Sequence, residues 1–287
     1  MNRRKSFSMV AGAFAGGALA ACGGGGSQDA AAQATAAKPT IVMVHGAWHW
    51  GACFLKIANL LTQMGYPVVM PDLKSHGYSA ATYDQVTGMA DYAAPVSAIL
   101  QTSTSPVVLL GHSMGGVTLS YLAELYPDKI RKLIYLTAFM TPSGKSANDY
   151  IFSAAYATDP VAAELFQLLS ASFDNKGVVL DVAQPALVKA AFYADCSDHD
   201  VAIAAANIIP INSNVPYGAV AATTAAKFGS IPRVFIECTL DKAIPIAQQR
   251  QMQADVPGAT VLTLATSHSP FFSEPDQLAS LIATAAS

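Results

Sequence analysis

The stretch that decides the fold is Val107-Val108-Leu109-Leu110-Gly111-His112-Ser113-Met114-Gly115-Gly116. Its apolar, β-branched start predicts a buried strand, and the apolar pattern of residues 117–126 predicts a helix directly after it. Between them stands Gly-x-Ser-x-Gly, the sequence of a sharp strand-to-helix turn that exposes a nucleophilic serine. The motif alone is weak, because average glycine and serine usage produces it by chance in roughly one chain in ten of this length. Ser113 is therefore a candidate nucleophile whose partners must be found elsewhere.

Short apolar runs alternate with longer helical patterns on both sides of this stretch. The runs predict parallel strands at 40–44, 66–70, 107–110, 133–137, 233–238 and 260–264. Because the segments between them suit crossover helices, the pattern predicts an α/β fold with flanking helices. Alternation stops over about 140–227, where the sequence is rich in alanine and aromatic residues and no convincing strand is found. This insertion predicts a helical cap above the carboxyl ends of the strands, where open α/β sheets bind ligands.

The first 37 residues do not have the pattern of a folded domain. Residues 1–22 combine a basic start, a short apolar segment and the ending Leu19-Ala20-Ala21-Cys22. The apolar segment is too short to span a bilayer, which favours a cleavable export signal over a transmembrane helix. The ending resembles a bacterial lipobox and implies lipidation of Cys22, with an ordinary secretory signal as the alternative. Residues 23–37 are rich in small and polar residues and predict a flexible tether.

These features together predict an exported protein of the bacterial cell envelope, attached to a membrane by a lipid anchor only. Arg3-Arg4 followed by Phe7 is a weak match to a twin-arginine signal. Both the general secretory route and the twin-arginine route are therefore open.

Residues 38–287 are enough for one large α/β domain with its own core. The whole chain carries 16 Lys and Arg against 19 Asp and Glu, a formal net charge of −3, and has no basic stripe. This charge distribution argues against a nucleic-acid partner. Besides Cys22 the chain contains Cys53, Cys196 and Cys238, an odd number that argues against a disulfide framework but leaves a single bridge open. We interpret Cys53 and Cys238 as small buried apolar residues.

Later in the chain, two residues have the right type and position to activate Ser113. A serine hydroxyl needs a base to take its proton, and the base needs a third group to orient it. His268 lies four residues past the last predicted strand, and Asp241 lies just past the strand at 233–238. The carboxyl ends of these strands meet at the sheet edge that carries Ser113, in the order serine, acid, histidine. The sequence therefore predicts a catalytic triad of Ser113, Asp241 and His268.

The only other histidine after Ser113 is His199, in the acidic segment 195–200. This segment could bind a metal ion, or it could begin a helix, with Ser197 and Asp200 forming a variant of the capping box. Acidic residues in a first helical turn are favourable on dipole grounds. We predict the helix start, and we expect the chemistry to need no metal and no cofactor.

The oxyanion of a tetrahedral intermediate needs two preorganised N–H donors. We predict the amide of Met114, directly after the nucleophile, and the amide of Ala47, in the loop after the first strand. His45 in that loop is interpreted as structural. The candidate residues for the substrate pocket are Trp48, His49, Phe139 and Tyr150. A polar group at His49 could orient a substrate carbonyl or a leaving group.

Four motifs narrow the fold to a family. They are His-Gly-Ala-Trp at 45–48, Gly-His-Ser-Met-Gly-Gly at 111–116, Leu-Thr-Ala-Phe-Met at 136–140 and Asp-Lys-Ala-Ile-Pro at 241–245. Together they resemble the α/β-hydrolase superfamily, in the branch of plant methylesterases, plant hydroxynitrile lyases and bacterial esterases of the pyrethroid-hydrolase kind. The resemblance covers nearly all of residues 38–287 and implies an α/β-hydrolase fold with six parallel strands.

Two positions distinguish the members of this branch. The lyases carry Thr in the oxyanion loop and Lys directly after the catalytic histidine, where the cation handles the departing cyanide. The corresponding residues here are Gly46 and Ser269. The resemblance therefore favours a serine carboxylesterase that acts on a small hydrophobic ester through an acyl-enzyme. The alternatives are acyl transfer, perhydrolysis or C–C hydrolysis by the same triad and, with less support, a hydroxynitrile lyase or a ligand-binding receptor.

Overall fold

A computed structural model describes residues 37–287 of the chain. The predicted export signal, Cys22 and nearly all of the predicted tether lie outside the described residues. Within residues 37–287, no helix is both long enough and apolar enough to cross a bilayer.

Nine strands occur in residues 37–287, and six of them form one parallel sheet. The strands are β1 (Ile41–Val44), β2 (Val68–Val69), β3 (Val107–His112), β4 (Ile130–Leu136), β5 (Leu169–Ala171), β6 (Gly177–Leu180), β7 (Ile211–Ser213), β8 (Arg233–Cys238) and β9 (Ala259–Leu264). The large sheet has the order β2-β1-β3-β4-β8-β9, and all of its pairs are parallel. The predicted α/β fold with six parallel strands is confirmed.

Helices cover both faces of this sheet. They are α1 (Leu55–Gln63), α2 (Met89–Tyr92), α3 (Ala94–Thr102), α4 (Gly115–Leu125), α5 (Ala147–Ile151), α6 (Ala154–Ala157), α7 (Ala163–Leu168), α8 (Pro185–Phe192), α9 (Asp198–Asn207), α10 (Val215–Gly218), α11 (Ile246–Asp255), α12 (Pro270–Ser273) and α13 (Pro275–Ala286). Short 3-10 turns lie at Gly51–Phe54, Tyr83–Gln85, Pro127–Lys129, Pro160–Ala162 and Phe228–Ser230.

The sheet separates two apolar cores. Alternate side chains of a strand point to opposite faces, so that Ile41 and Met43 of β1 enter one core while Val42 and Val44 enter the other. The first core also contains apolar side chains of α1 and α13, and the second contains those of α3 and α4. Strands that are apolar on both faces are typical of parallel sheets covered by helices.

The insertion between β4 and β8 differs from the all-helical cap that we predicted. It contains α5 to α10 together with a small antiparallel sheet of the order β5-β6-β7. These strands have only three or four residues each, and none of the three residues of β5 is buried. Segments this short lack the apolar run or the alternation that identifies a strand in sequence. The prediction of a cap without strands was therefore wrong.

Two smaller predictions are confirmed in the described residues. Ser197 begins α9, where its hydroxyl oxygen accepts a hydrogen bond from the Asp200 N–H at 3.2 Å. Its hydroxyl also donates to Asp200 Oδ2 at 2.7 Å. Cys53 and Cys238 are buried, and they are free thiols, as is Cys196.

Candidate active site

Ser113 lies in the tight turn that joins β3 to α4. Its φ angle is 54°, in the left-handed region that a serine rarely adopts. Gly115 allows the helix to approach β1 closely, because a Cβ atom there would lie 2.6 Å from the carbonyl oxygen of Val44. The turn leaves Ser113 partly exposed, and none of the side-chain hydrogen bonds among residues 37–287 involves its hydroxyl. A strained turn that presents a serine at the carboxyl edge of a sheet is typical of a nucleophile.

His268 and Asp241 form a buried hydrogen-bonded pair at the same edge. Asp241 follows β8 and His268 follows β9, so neighbouring strands bring them together. His268 Nδ1 lies 2.7 Å from Asp241 Oδ2, and both side chains are almost fully buried. Because a carboxylate can only accept, Nδ1 carries the hydrogen, and in the neutral ring Nε2 then has the lone pair. This is the tautomer that a general base needs.

Three further donors fix the carboxylate of Asp241. The Thr137 hydroxyl donates to Oδ2, while the N–H groups of Ala243 and Ile244 donate to Oδ1 at 2.7 and 2.9 Å. Thr137 has a φ of 37°, which is unfavourable for a β-branched residue and indicates that its neighbours hold it in place. The role of Thr137 was not predicted from the sequence. Its one signal was its place as the last residue of the predicted strand 133–137, beside the edge that carries the acid.

The backbone of the His268 loop is also fixed from two sides. His112 Nε2 donates to the carbonyl oxygen of His268 at 2.8 Å. The carboxylate of Asp195, in the cap, accepts from the Ser267 N–H at 2.7 Å and from the Ser267 hydroxyl. Burial, followed by the proximity of His268, lowers the pKa of His112 well below its ordinary value and keeps this donor neutral. None of these contacts was predicted from the sequence.

No hydrogen bond joins Ser113 Oγ to His268 Nε2 within residues 37–287. The structure thus pairs Asp241 with His268 but leaves the third expected contact unmade. Such hydrogen bonds are often long without substrate and tighten when it binds.

Ala47 and Met114 line the same cavity as Ser113. Within residues 37–287, no protein atom accepts a hydrogen bond from either backbone N–H. Gly46 allows the loop to lie against the serine, because a Cβ atom there would lie 2.7 Å from Ser113 Cβ. Two unused N–H donors beside a serine hydroxyl form an arrangement suited to a developing oxyanion.

The cavity beside Ser113 is narrow and apolar, with a volume of about 30 Å³. Its remaining walls come from the oxyanion loop, the segment after β4, the cap and the loop after Asp241. The residues are Trp48, Phe139, Ile151, Tyr156, Leu165, Phe166, Leu169, Phe192, Tyr217, Ala243 and Ile244. Every one of these side chains is uncharged, so the cavity suits an apolar group.

The four expected pocket residues fall into two groups. Trp48 and Phe139 line the cavity with Ser113. Tyr150 does not, because its hydroxyl donates to Asp255 Oδ2 at 2.6 Å and the neighbouring Ile151 forms the wall instead. Tyr150 and Ile151 lie in a short cap helix. Helices this short show no hydrophobic periodicity in the sequence, so the sequence does not indicate which of the two residues faces the cavity.

His49 also lies outside the cavity wall. Its Nδ1 atom is 2.9 Å from the Ala47 carbonyl oxygen, and its Nε2 atom is 2.8 Å from the hydroxyl of Tyr193. Both ring nitrogens are therefore used within the protein rather than offered to a substrate. His45 has a structural place as well, since its Nε2 accepts from the Leu73 N–H at 3.0 Å.

Burial lowers the pKa of four histidines around this edge, to about 4 for His49 and below the ordinary value for His45, His76 and His112. Between pH 6.5 and 4 the unfolded chain binds protons that the native state excludes, so stability falls as the pH falls. Because of the lowered pKa of His49 alone, we expect the free energy of unfolding to be about 2 kcal/mol lower at pH 5 than at pH 7. Urea unfolding at the two pH values measures this loss, and equal free energies of unfolding would contradict it.

Comparison with known proteins places the chain in a family. Residues 41–281 match the alpha/beta hydrolase family. A pyrethroid hydrolase from Sphingobium wenxiniae is 35% identical over 245 residues, which cover 85% of this chain and 86% of that protein. Methylesterase 9 from Arabidopsis thaliana is 29% identical over 83% of this chain and 94% of its own.

A crystal structure of a pyrethroid hydrolase from Sphingobium faniae has a TM-score of 0.78 and 32% identity, over 86% of this chain and 97% of that one. These relatives confirm the resemblance that the sequence motifs indicated. The chain belongs to the alpha/beta hydrolase family.

Proposed function

We propose that the protein is a serine carboxylesterase that hydrolyses a small hydrophobic ester through an acyl-enzyme. One observation carries the proposal: Ser113 lines an uncharged cavity together with Ala47 and Met114, whose backbone N–H groups have no acceptor within residues 37–287. The hydrogen-bonded pair of His268 and Asp241 lies at the same sheet edge and can supply the base. The names of the relatives, a pyrethroid hydrolase and methylesterases, support an ester as substrate.

The proposed reaction has two halves. Ser113 Oγ attacks the ester carbonyl carbon while His268 Nε2 takes its proton, and the N–H groups of Ala47 and Met114 hold the oxyanion. When the intermediate collapses, the C–O bond breaks and the alcohol leaves with the proton from His268. Water then attacks the acyl-enzyme, His268 takes a proton from it, and that proton returns to Ser113 as the acid is released.

The residues of the site disfavour the lyase alternative. Release of cyanide needs a cation beside the leaving group, but the cavity lining contains no Lys or Arg, and Ser269 follows His268. A Thr in place of Gly46 would also bring a Cβ atom within 2.7 Å of Ser113 Cβ. Both observations concern the reacting end of the cavity, where the two reactions differ.

A series of p-nitrophenyl esters from acetate to palmitate tests the proposal. We expect turnover of the acetate and butyrate and a decline towards the long chains, because the cavity is narrow, with a volume of about 30 Å³. Mandelonitrile serves as the comparison substrate for the lyase reaction. Cyanide release in the absence of ester hydrolysis, or no turnover of any ester, would contradict the proposal.

A further inference from the structure

The oxyanion loop is bound by the cap rather than by the sheet alone. Three cap residues bind Trp48, which follows the expected oxyanion donor Ala47. The Trp48 N–H donates to Asn212 Oδ1 at 3.4 Å, and its carbonyl oxygen accepts from the Ile209 N–H at 2.9 Å. Its indole N–H donates to the carbonyl oxygen of Val178 at 3.1 Å. Trp48 has a φ of 60°, an unfavourable value that these bonds hold in place.

A second link runs from the cap through His49 to Ala47. The Ala47 carbonyl oxygen can only accept, so His49 Nδ1 carries the hydrogen and donates to it at 2.9 Å. His49 Nε2 is then an acceptor, and the hydroxyl of Tyr193 donates to it at 2.8 Å. Only the neutral imidazole can donate on one side and accept on the other, and burial lowers the pKa of His49 to about 4.

These contacts fix both peptide groups of Ala47. His45 Nδ1 lies 2.8 Å from the carbonyl oxygen of Gly46, whose peptide group contains the Ala47 N–H. Because the N–H and C=O of a trans peptide point in opposite directions, this bond aims the Ala47 N–H. His49 holds the peptide group on the other side of Ala47. His45 thus orients the peptide group before Ala47, and His49 with Tyr193 orients the peptide group after it.

We propose that Tyr193 and His49 are positioning residues through which the cap sets the orientation of the oxyanion donor Ala47. The inference rests on the proposed function, because the oxyanion is that of ester hydrolysis. Phe192 precedes Tyr193 at the end of α8 and lines the substrate cavity, with its ring centroid 5.7 Å from that of His268. One end of one helix therefore contacts the substrate space and positions the oxyanion donor.

The variant Tyr193→Phe tests this role, because it removes one hydroxyl and keeps the ring in its aromatic cluster. We expect kcat for p-nitrophenyl butyrate to fall about 10-fold while KM changes less than about twofold, since the lost interaction matters mainly in the transition state. An alkyl boronic acid, which forms a tetrahedral adduct with a nucleophilic serine, should bind about 10-fold more weakly. Tyr66→Phe is the matched control, a buried tyrosine whose hydroxyl donates to the Ala283 carbonyl at 3.0 Å, and it should leave both values unchanged.

A second pair of variants at His49 separates positioning from packing. His49→Asn can place an amide N–H near the position of Nδ1 and keep the bond to Ala47, whereas His49→Leu fills similar space without a donor. We expect the Asn variant to retain several-fold more kcat than the Leu variant. Equal kcat in the two variants, or wild-type kcat and boronic acid affinity in Tyr193→Phe, would overturn the inference while leaving the esterase proposal intact. A wild-type chain that hydrolyses no ester would instead overturn the proposed function.

Discussion

Replacing Ser113 with alanine is expected to lower kcat/KM for p-nitrophenyl butyrate by about 10⁴-fold or more. The substitution removes the proposed nucleophile, and the proposed oxyanion donors that remain could assist only the slow attack of water. The hydroxyl is partly exposed and takes part in none of the side-chain hydrogen bonds among residues 37–287, so its loss should change the unfolding free energy by less than about 1 kcal/mol. Initial rates and a urea unfolding curve measure the two effects on the same preparation.

The matched control is Ser280→Ala, which removes an exposed serine hydroxyl on α13, outside the cavity lining. It should keep the wild-type rate. A Ser113→Ala protein that is folded and retains more than about a tenth of the wild-type rate would exclude Ser113 as the nucleophile.

The variant Asp241→Asn is expected to lower kcat by about 10³- to 10⁴-fold. In the wild type, the two carboxylate oxygens of Asp241 accept four hydrogen bonds, from His268, Thr137 and the N–H groups of Ala243 and Ile244. If the amide oxygen takes the two backbone donors, the amide nitrogen faces His268 Nδ1. The imidazole then moves its hydrogen to Nε2, where it can no longer take the proton of Ser113.

Asp255→Asn provides the control for a change of charge at a carboxylate. Asp255 accepts hydrogen bonds from Tyr150 and Gln251 and does not line the Ser113 cavity. We expect its kcat to stay within about twofold of wild type. If Asp241→Asn turned over as fast as this control, Asp241 would not orient the base.

The sheet and the order of the candidate residues were predictable because they depend on local patterns. Apolar runs identified the six strands, and the rule that strand ends meet at one edge selected Asp241 and His268. The pairing of these two side chains in the structure agrees with that selection. The same rule predicted the places of Met114 and Ala47, which both line the cavity of Ser113.

The cap and the residues that support the site could not be predicted in this way. The strands β5, β6 and β7 are too short to show a period, so the cap was predicted to be helical. Thr137 contacts Asp241 from 104 residues away, and Tyr193 contacts His49 from 144 residues away. A single sequence contains no signal for such pairs, because they depend on how the cap folds over the sheet. His49 was therefore expected in the pocket, although both of its nitrogens are used by the protein.

The most direct test of the account is to identify the residue that becomes acylated. The chain is mixed with p-nitrophenyl butyrate, quenched in acid within the first turnover, digested and analysed by mass spectrometry. We predict one butyryl group per chain on the peptide that contains Ser113, absent from Ser113→Ala and slower to form in Asp241→Asn. A butyryl group on another residue, or ester hydrolysis that proceeds with no acyl group on Ser113, would contradict the account.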